Sequence, residues 1–132
     1  MKTLAVICAL FIGTHAFFTA EQHDIANRLI QQCATEIGEE FREISAERFI
    51  EGNLGRRDDK FKCFVRCVLS KPGFIDAAGE VNKEILIEKL SKGNTREKAE
   101  MIAELCHKFD GTDACQKAFG LYECYQKNKS IL

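Results

Sequence analysis

Six of the seven cysteines, Cys33, Cys63, Cys67, Cys106, Cys115 and Cys124, fall in stretches whose apolar spacing is helical. Helices tied at several points by disulfides can keep an apolar interior open without collapsing. Such a chain is better suited to carry a guest than to transform one. Disulfides persist in oxidising compartments, so the cysteines also predict a secreted protein.

The N-terminus agrees with that compartment. Lys2 gives a basic start, Leu4 to Ile12 form an apolar run of nine residues, and Thr14-His15-Ala16 puts small residues at the positions a signal peptidase reads. Cleavage is expected after Ala16, with a cut after Ala20 as the alternative because Phe18 is bulky for the position three before it. The expected domains are a signal peptide over 1–16 and a single helical domain over 17–132. Cys8 leaves with the leader, so seven cysteines become six. The apolar run is far shorter than the roughly 20 residues a helix needs to cross a bilayer core, and no stable membrane anchoring is expected.

Loss of Lys2 leaves 18 basic against 20 acidic residues, a net charge of about −2. The tightest basic cluster, Arg56-Arg57, is followed at once by Asp58-Asp59. Nucleic acid binding needs a concentrated positive face, so no nucleic acid partner is expected. A mature length of about 116 residues, with nine of the chain's ten phenylalanines, suits one domain with a real core.

Periodicity predicts helices and no strand. Ile25, Leu29, Cys33 and Ile37 recur at four-residue steps through 22–37, with Gly38 as the stop. Ser45 caps a short helix through Ile50 that closes at Gly52. Asp58 or Asp59 opens a helix through Ser70, broken by Pro72-Gly73. Asn82 opens one to Leu90, and Asn94 with Glu97 reads as a capping box for a helix through Phe109. Asp110-Gly111-Thr112 forms the last turn, before a helix capped by Thr112 or Asp113 that runs to about Lys127. The fold class expected is all-α: a compact six-helix domain, stapled by disulfides, enclosing an apolar cavity.

Helix geometry constrains the cysteines. Cys63 and Cys67 are four residues apart, so they leave one face on successive turns and are placed to grip two other helices rather than each other. Cys115 and Cys124 are nine apart, on opposite sides of the last helix. Six cysteines allow 15 pairings, and spacing alone does not choose among them. Zinc would need a second tight pair to match Cys63 and Cys67, and none exists, so no metal and no cofactor are expected.

The intervals Cys33-x29-Cys63-x3-Cys67-x38-Cys106-x8-Cys115-x8-Cys124 resemble the insect odorant-binding protein family, which includes the pheromone-binding and general odorant-binding proteins. Gly73-Phe74-Ile75-Asp76-Ala77-Ala78-Gly79-Glu80, Asp113-Ala114-Cys115-Gln116-Lys117-Ala118-Phe119 and Cys124-Tyr125 add to the likeness. It implies six helices around a cavity, with bridges Cys33–Cys67, Cys63–Cys115 and Cys106–Cys124. It also implies a secreted carrier of small hydrophobic volatiles, odorants or pheromones, in sensillar lymph or another extracellular fluid. The partners expected are that ligand and an olfactory receptor, with the carrier a monomer or weak homodimer. Only eight residues follow Cys124, so a long tail that inserts into the cavity is not expected.

Apolar stripes supply the candidate ligand-binding residues. In the last helix they are Ala118, Phe119, Tyr122 and Tyr125, where each tyrosine adds a hydroxyl to an apolar wall. In the helix before it they are Ala99, Ile102 and Leu105, with Phe109 continuing the stripe. Leu86 with Leu90, and Phe64 with Val68, pair at i, i+4 in the two preceding helices. Ile131 and Leu132 are candidates for a lid, which protonation of His107 or of nearby carboxylates on acidification is expected to loosen. The same stripes would pack on each other in a filled core. What favours a cavity is the family resemblance.

An enzyme is not expected. Cys106-His107 with Asp110 imitates a nucleophile and base, but a cysteine committed to a disulfide is no nucleophile. A phospholipase would need a glycine-rich calcium loop that is missing, and the paired carboxylates Glu39-Glu40 lie on a charged segment. Two alternative readings share the helical, six-cysteine frame. One is a salivary or haemolymph scavenger of biogenic amines or lipids, which would place a carboxylate in the pocket. The other is a saposin-like lipid-interaction module, whose cysteine spacing differs.

Overall fold

The computed structural model describes residues 19–109 and 113–132. The expected leader, the turn Asp110-Gly111-Thr112 and the Thr112 cap lie outside them. Six α-helices follow in order: α1 Ala20–Ile37, α2 Ala46–Glu51, α3 Asp59–Ser70, α4 Lys83–Ser91, α5 Arg96–Leu105 and α6 Ala114–Asn128. Two short 3-10 turns, Glu39–Glu43 and Lys129–Ile131, complete the set. Among the described residues there is no strand, only one isolated bridge between Ile75 and Val81.

Each helix starts where a short polar side chain can take an orphan backbone N–H. Thr19 caps α1 in a reciprocal capping box with Gln22, Ser45 caps α2, Asp58 caps α3 and Asn82 caps α4. Asp113 caps α6 by accepting from Gln116 N at 2.8 Å. For α5 the cap is Thr95 and not Asn94, whose side chain instead donates back to Leu90 O at 3.0 Å. That helix also stops earlier than its apolar pattern suggests. Cys106 leaves helical geometry at φ −120°, ψ 33°, so Phe109 stands in irregular chain.

Three disulfides join Cys33 to Cys67, Cys63 to Cys115 and Cys106 to Cys124, the three pairs the resemblance implies. Cys63 and Cys67 do reach different helices: α3 is fastened to α6 through one and to α1 through the other. The end of α5 is fastened to the far flank of α6. A covalent frame α1–α3–α6–α5 results, and each link is worth about 2–4 kcal/mol by chain-entropy reasoning. Helices α2 and α4 carry no cysteine and are held by packing and by hydrogen bonds, among them Tyr122 to Phe49 O, Gln126 to Ile50 O and Gln22 to Lys89 O.

The loop between α3 and α4 is held without regular structure. Asp76 accepts from the backbone of Ala78 and Glu80, each at 2.9 Å. Gly79 sits at φ 86°, where a Cβ would come within 2.8 Å of Ala114 Cα. The loop therefore lies directly on the start of α6, and only glycine fits there.

Buried side chains form two clusters. One is aromatic, built on Phe41, Phe49, Phe61, Phe64, Phe119 and Tyr122 where α1, α2, α3 and α6 meet. Its rings are in direct contact, with Phe41 stacked on Phe64 at 4.5 Å between centroids and Phe49 4.8 Å from Tyr122. The other is aliphatic, built on Ile75, Leu86, Leu90, Ile102, Leu121 and small residues of α5 and α6.

Candidate functional site

Between the two clusters lies an apolar cavity of about 190 Å³. Its walls come from all six helices. From α1 it takes Gln22, Ile25, Ala26 and Leu29, from α2 Phe49 and Ile50, and from α3 Val68 and Leu69. Helix α4 gives Leu86, Lys89 and Leu90, α5 gives Ile102, and α6 gives Leu121, Tyr122, Tyr125 and Gln126. Pro72 and Phe74 close the side toward the α3–α4 loop.

Of the candidate residues, the structure brings six to this cavity: Val68, Leu86, Leu90, Ile102, Tyr122 and Tyr125. The others stand elsewhere. Phe64 is fully buried in the aromatic cluster, its faces covered by Phe41, Phe49 and Phe61. Ala99 and Ala118 are fully buried where α5 and α6 meet the aliphatic cluster, their side chains too short to reach the cavity. Phe119 packs edge-on against Phe61 and borders a different hollow. Leu105 is 55% exposed. The buried face of α5 is Ala99, Ile102, Ala103 and Cys106, and at 100° per residue Leu105 falls about 110° from its centre. Ile131 and Leu132 pack on the aliphatic cluster from outside rather than facing the cavity. His107 Nε2 lies 3.6 Å from Glu104 Oε1, a carboxylate of α5.

Sequence reasoning missed the contribution of α1. The four-residue repeat of Ile25, Leu29 and Cys33 was legible, but nothing in it separates the lower half, which fills the core at Cys33, from the upper half, which lines a hollow. Gln22 carried no signal because its role is tertiary. It caps α1 and also donates to Lys89 O at 3.1 Å, tying the start of α1 to the end of α4.

The polar groups of the cavity sit at two places. On the floor, Tyr122 donates its hydroxyl to Phe49 O at 2.5 Å, and Gln126 Nε2 donates to Ile50 O at 3.0 Å. Burial pushes the phenols of Tyr122 and Tyr125 above their ordinary value, so both keep their protons through physiological pH. At the mouth stand Lys89, Lys92, Thr19 and Glu21. Neither lysine has an ion-pair partner among the described residues, whereas Lys60, Lys71, Lys83 and Lys117 all do. Cys33, Glu36 and Cys67 lie close enough to resemble a metal triad, but the two sulfurs are bonded to each other and have no thiolate to offer.

A six-helix shell with covalent staples around an apolar hollow defines a carrier of small hydrophobic ligands rather than a catalyst. Comparison with known proteins gives the same class. The profile described as the PBP/GOBP family matches residues 15–128. General odorant-binding protein 56a of Drosophila melanogaster is 29% identical over 128 residues, covering 95% of this chain and 88% of the relative. Among solved structures, the fatty acid binding protein OBP56a from the oral disk of the blowfly Phormia regina superposes with a TM-score of 0.68 at 27% identity, over 87% of this chain and 97% of that one. An odorant-binding protein of Locusta migratoria gives a TM-score of 0.65 at 18% identity, over 84% of each chain, and shares the fold.

The chain belongs to the PBP/GOBP family, the insect odorant-binding carriers, which are extracellular and are not enzymes. No described helix is long and apolar enough to cross a membrane.

Proposed function

We propose that this chain is secreted after removal of residues 1–16 and carries an amphiphilic ligand in extracellular fluid, sensillar lymph being one such fluid. The ligand's tail lies in the cavity between the aromatic and aliphatic clusters, and its polar head stays at the Lys89–Lys92 mouth. The observation that carries this reading is the pairing of an apolar hollow with two lysines that have no ion-pair partner among the described residues. Burial of ligand carbon supplies the affinity at roughly 25 cal/mol per Å², and the lysines add a preference for an anionic or strongly accepting head. A fatty-acid binder among the similar structures supports that preference. For a medium-chain ligand the expected dissociation constant is micromolar, about −8 kcal/mol.

The amine-scavenger alternative needs a carboxylate in the pocket. Glu21, at the mouth and exposed, is the only one lining the cavity among the described residues. Delivery to an olfactory receptor and a monomeric or weakly dimeric state remain part of the proposal.

Displacement of a hydrophobic fluorescent probe by octanol, octanal and octanoate tests the reading. All three are expected to displace it. In the double variant Lys89→Ala, Lys92→Ala, octanoate loses three- to tenfold in affinity while octanol changes less than twofold. No displacement by any of the three overturns the carrier reading. Equal losses for octanoate and octanol overturn the placement of the head.

A further inference from the structure

The cavity is small for a family that binds odorants. An engineered cavity of ~150 Å³ accepts benzene, and at about 190 Å³ this one is scarcely larger, room for the tail of a medium-chain ligand whose head stays at the mouth. Ligand pockets generally begin near 300 Å³. A second hollow of about 240 Å³ lies on the other side of the seam between α2 and α6. Tyr122 and Gln126 line both, so those two side chains form the wall between them.

The two wall residues are not equally fixed. Tyr122 is pinned in the aromatic cluster by Phe49, Phe61 and Phe119. Gln126 is outside the ring cluster and is held by two hydrogen bonds and by contact with Gly52: its Nε2 donates to Ile50 O, and its Oε1 accepts from Lys129 Nζ at 2.8 Å. It lies flat across the end of α2 because Gly52 leaves room. A Cβ at Gly52, which sits at φ 81°, would be 2.4 Å from Gln126 Cδ. When the carboxamide swings outward, water takes over the bonds of Gln126 and Lys129, and Ile50 O is the one group whose pairing is given up to the incoming chain. Helix α2 is six residues long and has no disulfide to the frame.

The second hollow is suited to a chain end rather than a head group. Its inner surface is Leu54, Phe61, Phe119 and Tyr122, and its arginines are already engaged. Arg57 pairs with Glu123, and Arg56 with Asp58 at 3.0 Å.

We infer that the hollow under Leu54 and Phe119 is a second subsite for the methyl end of a long-chain amphiphile, reached from the first cavity by displacement of Gln126. This rests on the carrier reading with the head at the mouth. Short chains occupy the first cavity only. Long chains pass between Tyr122 and the end of α2 and fill both.

The chain contains no tryptophan, so a single introduced indole reports on the second subsite. In Lys127→Trp, at the exposed rim of that hollow, hexadecanoate brominated at its terminal carbon quenches the fluorescence, and octanoate brominated at its terminal carbon does not. In Leu54→Trp, which fills the hollow, hexadecanoate loses at least tenfold in affinity for the oxidised chain and octanoate stays within twofold. Gln126→Ala raises hexadecanoate affinity and leaves octanoate unchanged. Octanoate that displaces the probe, with no quenching by the long bromo-acid, overturns the second subsite while the carrier reading stands. Quenching by both bromo-acids overturns the route through Gln126, because the hollow is then filled directly from solvent. If neither acid displaces the probe, the carrier reading falls and takes this inference with it.

Discussion

The aromatic half of the core buries more side chain than the aliphatic half, and the two use it differently. In the aromatic half, flat rings close on each other from four elements, and Phe41, Phe61 and Phe64 are almost wholly removed from solvent. In the aliphatic half, Leu86, Leu90 and Ile102 present branched ends to a hollow across which Ile25, Leu29 and Val68 stand. The disulfides explain how the hollow survives. Two of them, Cys33–Cys67 and Cys63–Cys115, fasten α3 to α1 and α6, and Cys106–Cys124 fixes the end of α5 to the far side of α6. The frame can neither open nor close freely, and only α2 and α4 can adjust around a guest. Apart from the hollow at its Leu54 edge, a closely packed half thus supports an open one.

Removing a ring from the filled half is expected to have the largest effect. Phe64→Ala deletes a fully buried side chain ringed by three others and is expected to cost about 3–5 kcal/mol, read as a drop in the urea midpoint with unchanged slope. Leu90→Ala in the open half is expected to cost about 2 kcal/mol, the low end for such a change, because part of the side chain already faces empty space. It also widens the cavity, so octanol affinity falls while a bulkier alcohol gains. If the two substitutions destabilise equally, the distinction between the halves fails.

Much of the frame was legible in the sequence. The four-residue step from Cys63 to Cys67 favoured different partners for those cysteines, and Ser45, Asp58 or Asp59, Asn82, and Thr112 or Asp113 marked helix starts because each places a short oxygen-bearing side chain before an apolar repeat. Which stripe is filled and which is hollow was not legible. Phe64 and Val68 share one face of α3, yet Phe64 meets rings from the Glu39–Glu43 turn and from α2, and Val68 meets the cavity. That outcome depends on what lies opposite, which periodicity does not encode. The early end of α5 was hidden for a similar reason: Cys106 leaves the helix to meet Cys124, although the apolar pattern continues toward Phe109.

Tyr122 sharpens the boundary between the halves. Tyr122→Phe keeps the ring and removes the bond to Phe49 O, for an expected loss of about 1 kcal/mol by thermal unfolding. A retained aromatic core would show as an unchanged slope of the urea transition. Because burial raises the phenol's pKa, neither the bond nor ligand affinity should change between neutral pH and pH 9.

The smallest effect is expected at the surface of the filled half. The Arg56 guanidinium beside Asp58 holds that carboxyl below its ordinary value, with the cap to Phe61 N contributing. A lowered folded-state value means the contribution is present above the unfolded value near 3.8 and is lost as pH falls through the folded one. Asp58→Asn keeps a cap but removes the charge, so its urea midpoint should match the native chain more closely at pH 3 than at pH 7. The same gap at both values would remove Asp58 from the acid response.

Isotope-edited methyl NMR with unlabelled decanol bound to the oxidised chain tests the central claim most directly. Intermolecular contacts are expected at the methyls of Val68, Leu86, Leu90 and Ile102, and none at Val65 or Ile30, which face the filled half. Contacts at Val65 and Ile30 equal to those at Leu86 and Leu90, or no contacts at any of them, would contradict it.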